Sequence, residues 1–183
     1  MTHSQSIEGN AAQANLMIDV REDKARILIV DDENFNVRIL ATALKDDYDI
    51  VAADSGASAL ALAAAEPAPD LILLDVLMPD MDGFEACARL KANPATASIP
   101  VIFVTMIDDH VNEERGFHVG AVDYVYKPIK PTVVQARVRV HMRLKQHRDF
   151  LEQMVKGRSD ELEQARGEAA ALLKQLEQDD TSL

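Results

Sequence analysis

Apolar residues fall along this chain in two alternating rhythms. Short, solid apolar runs stop abruptly at a polar residue. Residues 26–30 (RILIV) meet Asp31 and Asp32, 71–74 (LILL) meet Asp75, 101–104 (VIFV) meet Thr105, and 122–126 (VDYVY) meet Lys127. A weaker run occupies 50–53. Such runs, rich in Val, Ile and Leu and without polar alternation, predict strands buried on both faces. Between them, apolar positions recur at helical spacing over 34–45, 56–65, 83–92 and 109–119. Pro67, Pro94 and Gly120 stand where these helices should stop. The order βαβαβαβαβ, with a further helix opening near Pro131, predicts a parallel sheet with helices on both faces. Ligands in such sheets gather at the carboxyl ends of the strands. The polar residues that end the runs stand there.

The stretch after Pro131 is ambiguous. Residues 137–145 (RVRVHMRLK) alternate as a strand would, yet no turn signal separates them from helical sequence on either side, so one long helix is expected. From Leu144 a 4,3 spacing appears through Arg148, Leu151, Val155, Arg158, Leu162, Ala165, Ala169, Leu172 and Leu176. Eight of these ten positions are apolar, which favours a coiled coil over a solvated helix. It would project roughly 50 Å. Arg148 and Arg158 interrupt the seam, and Gly157 and Gly167 each weaken the helix by about 1 kcal/mol. Ser159 or Asp160 would cap a restarted helix, so a hinge near 157–159 is one expectation. The competing reading folds this helix back onto the α/β domain. Residues 1–24 are polar without sustained period and read as a flexible leader. The expected layout is leader 1–24, α/β domain 25–143, coiled-coil helix 144–178 and polar tail 179–183.

Composition narrows the function classes. A hydrophobic fraction of 48% supplies a core, and a formal net charge of −12 argues against broad nucleic-acid binding. The charge is uneven: residues 126–149 hold seven bases and one acid, whereas 1–125 hold 22 acids and 8 bases. The basic segment reads as a solvated helix face, or more sharply as a contact for an acidic partner. Cys87 is the sole cysteine, excluding an internal disulfide, and its apolar helical setting suits an inert core thiol. No apolar run approaches a membrane span and no signal peptide is evident, so a cytoplasmic protein is expected.

Three carboxylates, Asp31, Asp32 and Asp75, converge on one sheet edge in this topology. Crowded carboxylates repel, and a hard divalent cation such as Mg²⁺ resolves that. Lys127 adds an ammonium and Thr105 a hydroxyl. A carboxylate nucleophile with metal, ammonium and hydroxyl forms a site for taking up a phosphoryl group. A dehalogenase-type phosphatase needs Asp-x-Asp at the nucleophile, but Asp75 is followed by Val76 and Leu77. Asp80-x-Asp82-Gly83 lacks the remaining ligands of a calcium loop. His141 lacks the context of a phospho-accepting histidine, and His110, His118 and His147 show no ligand spacing.

Jointly the spacing is specific. Asp31-Asp32, then Asp75 followed by Met78-Pro79-Asp80-Met81-Asp82-Gly83, then Thr105 and Lys127-Pro128 closely resemble the receiver domain of two-component response regulators, over residues 25–145. The resemblance implies a flavodoxin-like sheet of order 2-1-3-4-5. It implies Asp75 as phospho-acceptor, Asp31 and Asp32 as Mg²⁺ ligands with Asp75 and the Leu77 backbone carbonyl, and Thr105 and Lys127 as readers of the phosphoryl charge. Tyr124 matches the family's aromatic switch, and the Lys127–Pro128 bond is expected to be cis. Asp82 and Gly83 are expected to be structural. Met106 replaces the family's usual small residue. With Leu77 and Ile107 it is expected to restrict access to Asp75 and slow loading and hydrolysis.

The resemblance implies a histidine kinase or phosphotransfer protein as phosphodonor. No helix-turn-helix follows, so direct DNA binding is not expected. Residues 136–145 (ARVRVHMRLK) and 148–152 (RDFLE) look like linkers that join receivers to cyclic-di-GMP enzymes or histidine-kinase modules. Two outputs are therefore expected alternatives. One is a signalling protein, not an enzyme, that homodimerises or binds a partner through the last helix. The other is the regulatory portion of a larger enzyme such as a diguanylate cyclase, a cyclic-di-GMP phosphodiesterase or a hybrid kinase.

Overall fold

The structure, a computed structural model, describes residues 24–106 and 117–180, with side chains described through residue 169. Five strands form one parallel sheet: β1 (Arg26–Val30), β2 (Asp49–Ala53), β3 (Leu71–Leu74), β4 (Val101–Thr105) and β5 (Asp123–Tyr126), in the order β2-β1-β3-β4-β5. The helices are α1 (Asn34–Leu44), α2 (Gly56–Ala63), α3 (Gly83–Ala92) and the long α4 (Pro131–Asp180). Most of the helix expected over 109–119 lies outside the described residues. Its end is described, with Gly120 at φ 98° accepting the left-handed turn that an L side chain resists.

The solid apolar runs are explained by two cores, one on each face of the sheet. Leu28, Val30, Ile72, Leu74, Val101 and Phe103 pack with α2 and α3 residues such as Ala59, Ala63, Phe84, Cys87 and Leu90. Alternate residues Ile27, Ile29, Leu71, Leu73, Ile102 and Val104 pack with Leu40 and Leu44 of α1 and Val134, Val138 and Met142 of α4. Each fully buried aliphatic side chain contributes about 1.5–3 kcal/mol. Cys87 is buried and its thiol is pushed up to about 11 by burial, as an inert core thiol should be.

The last helix departs from the sequence reading in two respects. It is uninterrupted through Gly157, so the expected hinge at 157–159 is absent. It runs through residues 179 and 180, which had been assigned to the tail. Every residue from 150 to 169 is exposed, so this stretch does not fold back on the domain. Lys24, expected in the leader, already donates to the carbonyls of Lys45 (3.2 Å) and Asp46 (2.7 Å) just past α1. Among the described residues, no helix is long and apolar enough to cross a membrane.

Candidate functional site

The sheet carries its polar strand ends to one edge. β1 and β3 are adjacent and in register (Val30 beside Leu74), so the next residues, Asp31 and Asp75, emerge side by side. The Asp75 amide donates to the Val30 carbonyl at 2.8 Å, extending the ladder by one bond into the site. Thr105 ends β4, and the Lys127 amide donates to its carbonyl at 2.9 Å, fixing the end of β5 beside it.

The ammonium of Lys127 lies between two buried carboxylates, 2.9 Å from Asp31 Oδ2 and 2.8 Å from Asp75 Oδ2. The second oxygen of each carboxylate is held from the backbone side. Asp75 Oδ1 accepts from the amides of Val76 (2.7 Å) and Leu77 (3.4 Å). Asp31 Oδ1 accepts from the Glu33 amide (2.9 Å) and the Asn36 side chain (3.1 Å). Asp75 is 3% exposed, and burial pushes its carboxyl up from the ordinary range. Lys127 opposes that shift, and the neighbouring Asp31 adds to it. Burial pulls the Lys127 ammonium down, but hydrogen bonds to Asp75 and Asp31 outweigh it and hold the ammonium above its usual value.

Asp32 is exposed, yet Asp31, Asp32 and Asp75 each offer a carboxylate oxygen within 4.8 Å of the others. Three carboxylates against one ammonium leave the cluster short of positive charge. The donors are hard oxygens, which suit Mg²⁺ or a similar divalent ion. Thr105 is 1% exposed and Tyr124 is buried. The Tyr124 ring packs on Phe103 at 5.4 Å between centroids, on Phe117 at 5.2 Å and on Tyr126 at 6.4 Å. All the expected site residues thus lie at or next to one edge. The Lys127–Pro128 bond is cis, as expected.

Met106 and Leu77 are 70% and 57% exposed, so the expected apolar rim is looser than the sequence reading had it; Ile107 lies outside the described residues. The oxygen of Asp82 caps α3 by accepting from the Glu85 amide at 2.7 Å. Gly83 has a more pointed role. A Cβ there would stand 2.2 Å from the Asp75 carbonyl oxygen and 2.8 Å from Val76 Cα, so only glycine lets α3 start against the backbone of Asp75.

Sequence reasoning missed Asn36 and Asp123. Asn36 is buried and steadies Asp31. The signal was a polar residue four before Leu40 and eight before Leu44, on what proves to be the buried stripe of α1. Asp123 binds the Tyr124 amide (2.8 Å), the Arg137 guanidinium and His141 Nε2 (3.0 Å). It ties the strand of Tyr124 to α4.

Comparison with known proteins agrees with this geometry. The family model of the response regulator receiver domain matches residues 27–139. Response regulator PleD of Caulobacter vibrioides is 45% identical over 130 residues, which are 70% of this chain and 28% of PleD. A Vibrio cholerae protein named "Probable cyclic di-GMP phosphodiesterase" is 44% identical over 125 residues, 68% of this chain and 28% of its own length. The chain thus spans little more than a quarter of these relatives. Among solved structures, the BeF3-activated DrrB receiver domain is 30% identical with a TM-score of 0.58, covering 66% of this chain and 98% of that one. The Mn²⁺-bound response regulator Rcp1 is 28% identical with a TM-score of 0.56, covering 61% and 90%. With the sheet order, the strand-end carboxylates and the family match in agreement, the chain belongs to the response regulator receiver family of two-component systems.

Proposed function

We propose that Asp75 accepts a phosphoryl group from a phosphohistidine of a histidine kinase or phosphotransfer protein. The observation that carries this reading is the Asp31–Lys127–Asp75 bridge at the carboxyl edge of the sheet. A carboxylate oxygen of Asp75 attacks phosphorus, the P–N bond breaks, and the imidazole leaves with the electron pair, giving an acyl phosphate. Asp31, Asp32, Asp75 and the Leu77 carbonyl would hold Mg²⁺. Bound there, the ion neutralises charge on the transferring group. Lys127 transfers its ammonium contact from the carboxylates to a phosphoryl oxygen. The Thr105 hydroxyl binds another oxygen, and Tyr124 follows Thr105 as the switch. The output passes through α4, whose segment 144–178 forms a coiled-coil homodimer beyond the receiver at 25–143. The protein acts as a cytoplasmic signalling component rather than as an enzyme on a diffusible substrate.

Acetyl phosphate with Mg²⁺ tests the chemistry. Intact mass should rise by one phosphoryl group in the wild type, stay unchanged in Asp75→Asn, and stay unchanged in EDTA. Equal labelling of Asp75→Asn and wild type would overturn the assignment.

A second reading has its own support. The chain spans 28% of a relative whose name carries a cyclic di-GMP phosphodiesterase activity. In that reading, this receiver regulates a catalytic domain of that class. Sequencing the native reading frame decides between the two.

A further inference from the structure

Resting on the phosphoryl-acceptor reading above, we propose that Asn36 is a positioning residue that sets the site's affinity for its divalent ion. Its side-chain amide commits one oxygen of Asp31 to the protein and leaves the other facing the site, and Glu33 aims that amide. The two carboxylates that flank Lys127 are built alike. Each gives Oδ2 to the ammonium and Oδ1 to donors of its own neighbourhood. At Asp75 both donors are backbone amides, those of Val76 and Leu77. At Asp31 one is the Glu33 amide and the other is the Asn36 side chain. A backbone amide is present whichever of these residues carries it. Of the four donors, Asn36 is therefore the one that a substitution can remove, and so the one through which sequence can tune the site.

The orientation of the amide is forced. Asn36 Nδ2 lies 3.1 Å from Asp31 Oδ1 and 2.8 Å from Glu33 Oε2. Ionised carboxylates only accept, so the nitrogen and not the oxygen must face them. Glu33 stands at the start of α1, yet its side chain caps no amide of that helix and goes to Asn36 instead. It also stands outside the cluster of Asp31, Asp32 and Asp75, so its part is to orient rather than to ligate. Asn36 is 7% exposed, on the stripe of α1 that buries Leu40 and Leu44. Packing alone would be served there by leucine, since a buried amide is costly unless it is bonded. Residues that orient ligand side chains typically change metal affinity by about 10–100-fold when they are lost.

Titration calorimetry of the full chain with MgCl₂, with urea unfolding as the folding control, tests this. Asn36→Leu keeps the branched shape without the donor and should raise the Mg²⁺ dissociation constant about tenfold. Asn36→Ala, which adds no bulk, should do the same. Loading of Asn36→Leu by acetyl phosphate should be slow at limiting Mg²⁺ and approach the wild-type rate at saturation, a recovery that a merely structural role would not give. In an Asp31→Asn background, adding Asn36→Leu should change Mg²⁺ affinity by no more than about twofold, because its effect runs through Asp31. Glu33→Ala should weaken Mg²⁺ binding more than Glu33→Gln, which loses the charge but still accepts from the amide; equal losses overturn the aiming role of Glu33. Unchanged Mg²⁺ affinity in both Asn36 variants, or an undiminished loss in the Asp31→Asn background, overturns the inference while the acceptor reading stands on Mg²⁺-dependent labelling of the wild type. A wild type that neither binds Mg²⁺ nor is labelled overturns both.

Discussion

Lys127 holds the site together because it is the ammonium that bridges both buried carboxylates. Lys127→Met leaves Asp31 and Asp75 buried without it and should destabilise the metal-free protein by about 3 kcal/mol in urea unfolding. Added Mg²⁺ should recover part of that loss. Asp75→Asn works in the opposite direction. Burial already disfavours the charged carboxyl there, so the metal-free variant should unfold at higher urea by about 1 kcal/mol or more, and Mg²⁺ should shrink the difference. Gly83→Ala forces a Cβ against the backbone carbonyl of Asp75, which cannot swing aside as a flexible side chain would, and should cost about 2 kcal/mol and slow phosphoryl uptake. Met106→Ala should change loading by acetyl phosphate little, because Met106 already stands largely in solvent. Asp31, Asp75, Thr105 and Lys127 were legible because each follows or ends an apolar run, and Asp32 because it stands beside Asp31. Asn36 was not, since a polar residue within an amphipathic helix is ordinarily assigned to the wet face. Nor was the reason for Gly83, which depends on how closely α3 approaches β3.

At the level of elements, the β5–α4 connection is an electrostatic clamp. Burial alone would raise the Asp123 carboxyl, but hydrogen bonds from Arg137, the Tyr124 amide and His141 outweigh it and hold it below the ordinary range. An acid whose pKa is depressed on folding stabilises the fold above its unfolded pKa and loses that contribution as pH falls through the folded one. Asp123→Asn should therefore cost about 2 kcal/mol near neutral pH, and the gap from wild type should close progressively below pH about 4, as followed by urea midpoints. The five strands and the first three helices were legible to within a residue or two, because the apolar runs and the proline stops agree. The hinge expected at Gly157 was not realised. Glycine lowers helix propensity without forbidding a helix, and a Cβ at Gly157 or Gly167 would meet only open space. Gly157→Ala with Gly167→Ala should thus add about 1 kcal/mol of helix stability each, seen as a higher melting temperature of the helical circular-dichroism signal.

Across the whole molecule, the basic segment acquires a more specific use than a solvated face. Of the seven bases in 126–149, Lys127, Arg137, Lys145 and Arg148 pair with carboxylates of this same chain. Lys145 reaches Asp70 at 3.2 Å, and Asp70 also accepts from the Arg26 amide at 2.9 Å, so α4 is fastened to the start of the central strand as well as to β5. Charge reversal at Lys145 should loosen α4 and speed amide exchange along residues 134–142, whereas reversal at exposed Arg139 should not. Sequence alone placed these charges but not the distant partners of Lys127 and Lys145, which are Asp31, Asp75 and Asp70.

The uninterrupted α4 has a mechanical consequence. A helix of 50 residues is about 75 Å long, and its first four turns or so are bolted to the sheet at two separate points. Such a rod is a lever with a short inner arm and a long outer one. A tilt of only a few degrees at the clamp, too small to notice in the receiver's core, sweeps the far end through several ångströms. The distance over which this domain exerts influence is then set by the stiffness of one rod rather than by the size of any rearrangement at the Asp31–Lys127–Asp75 edge.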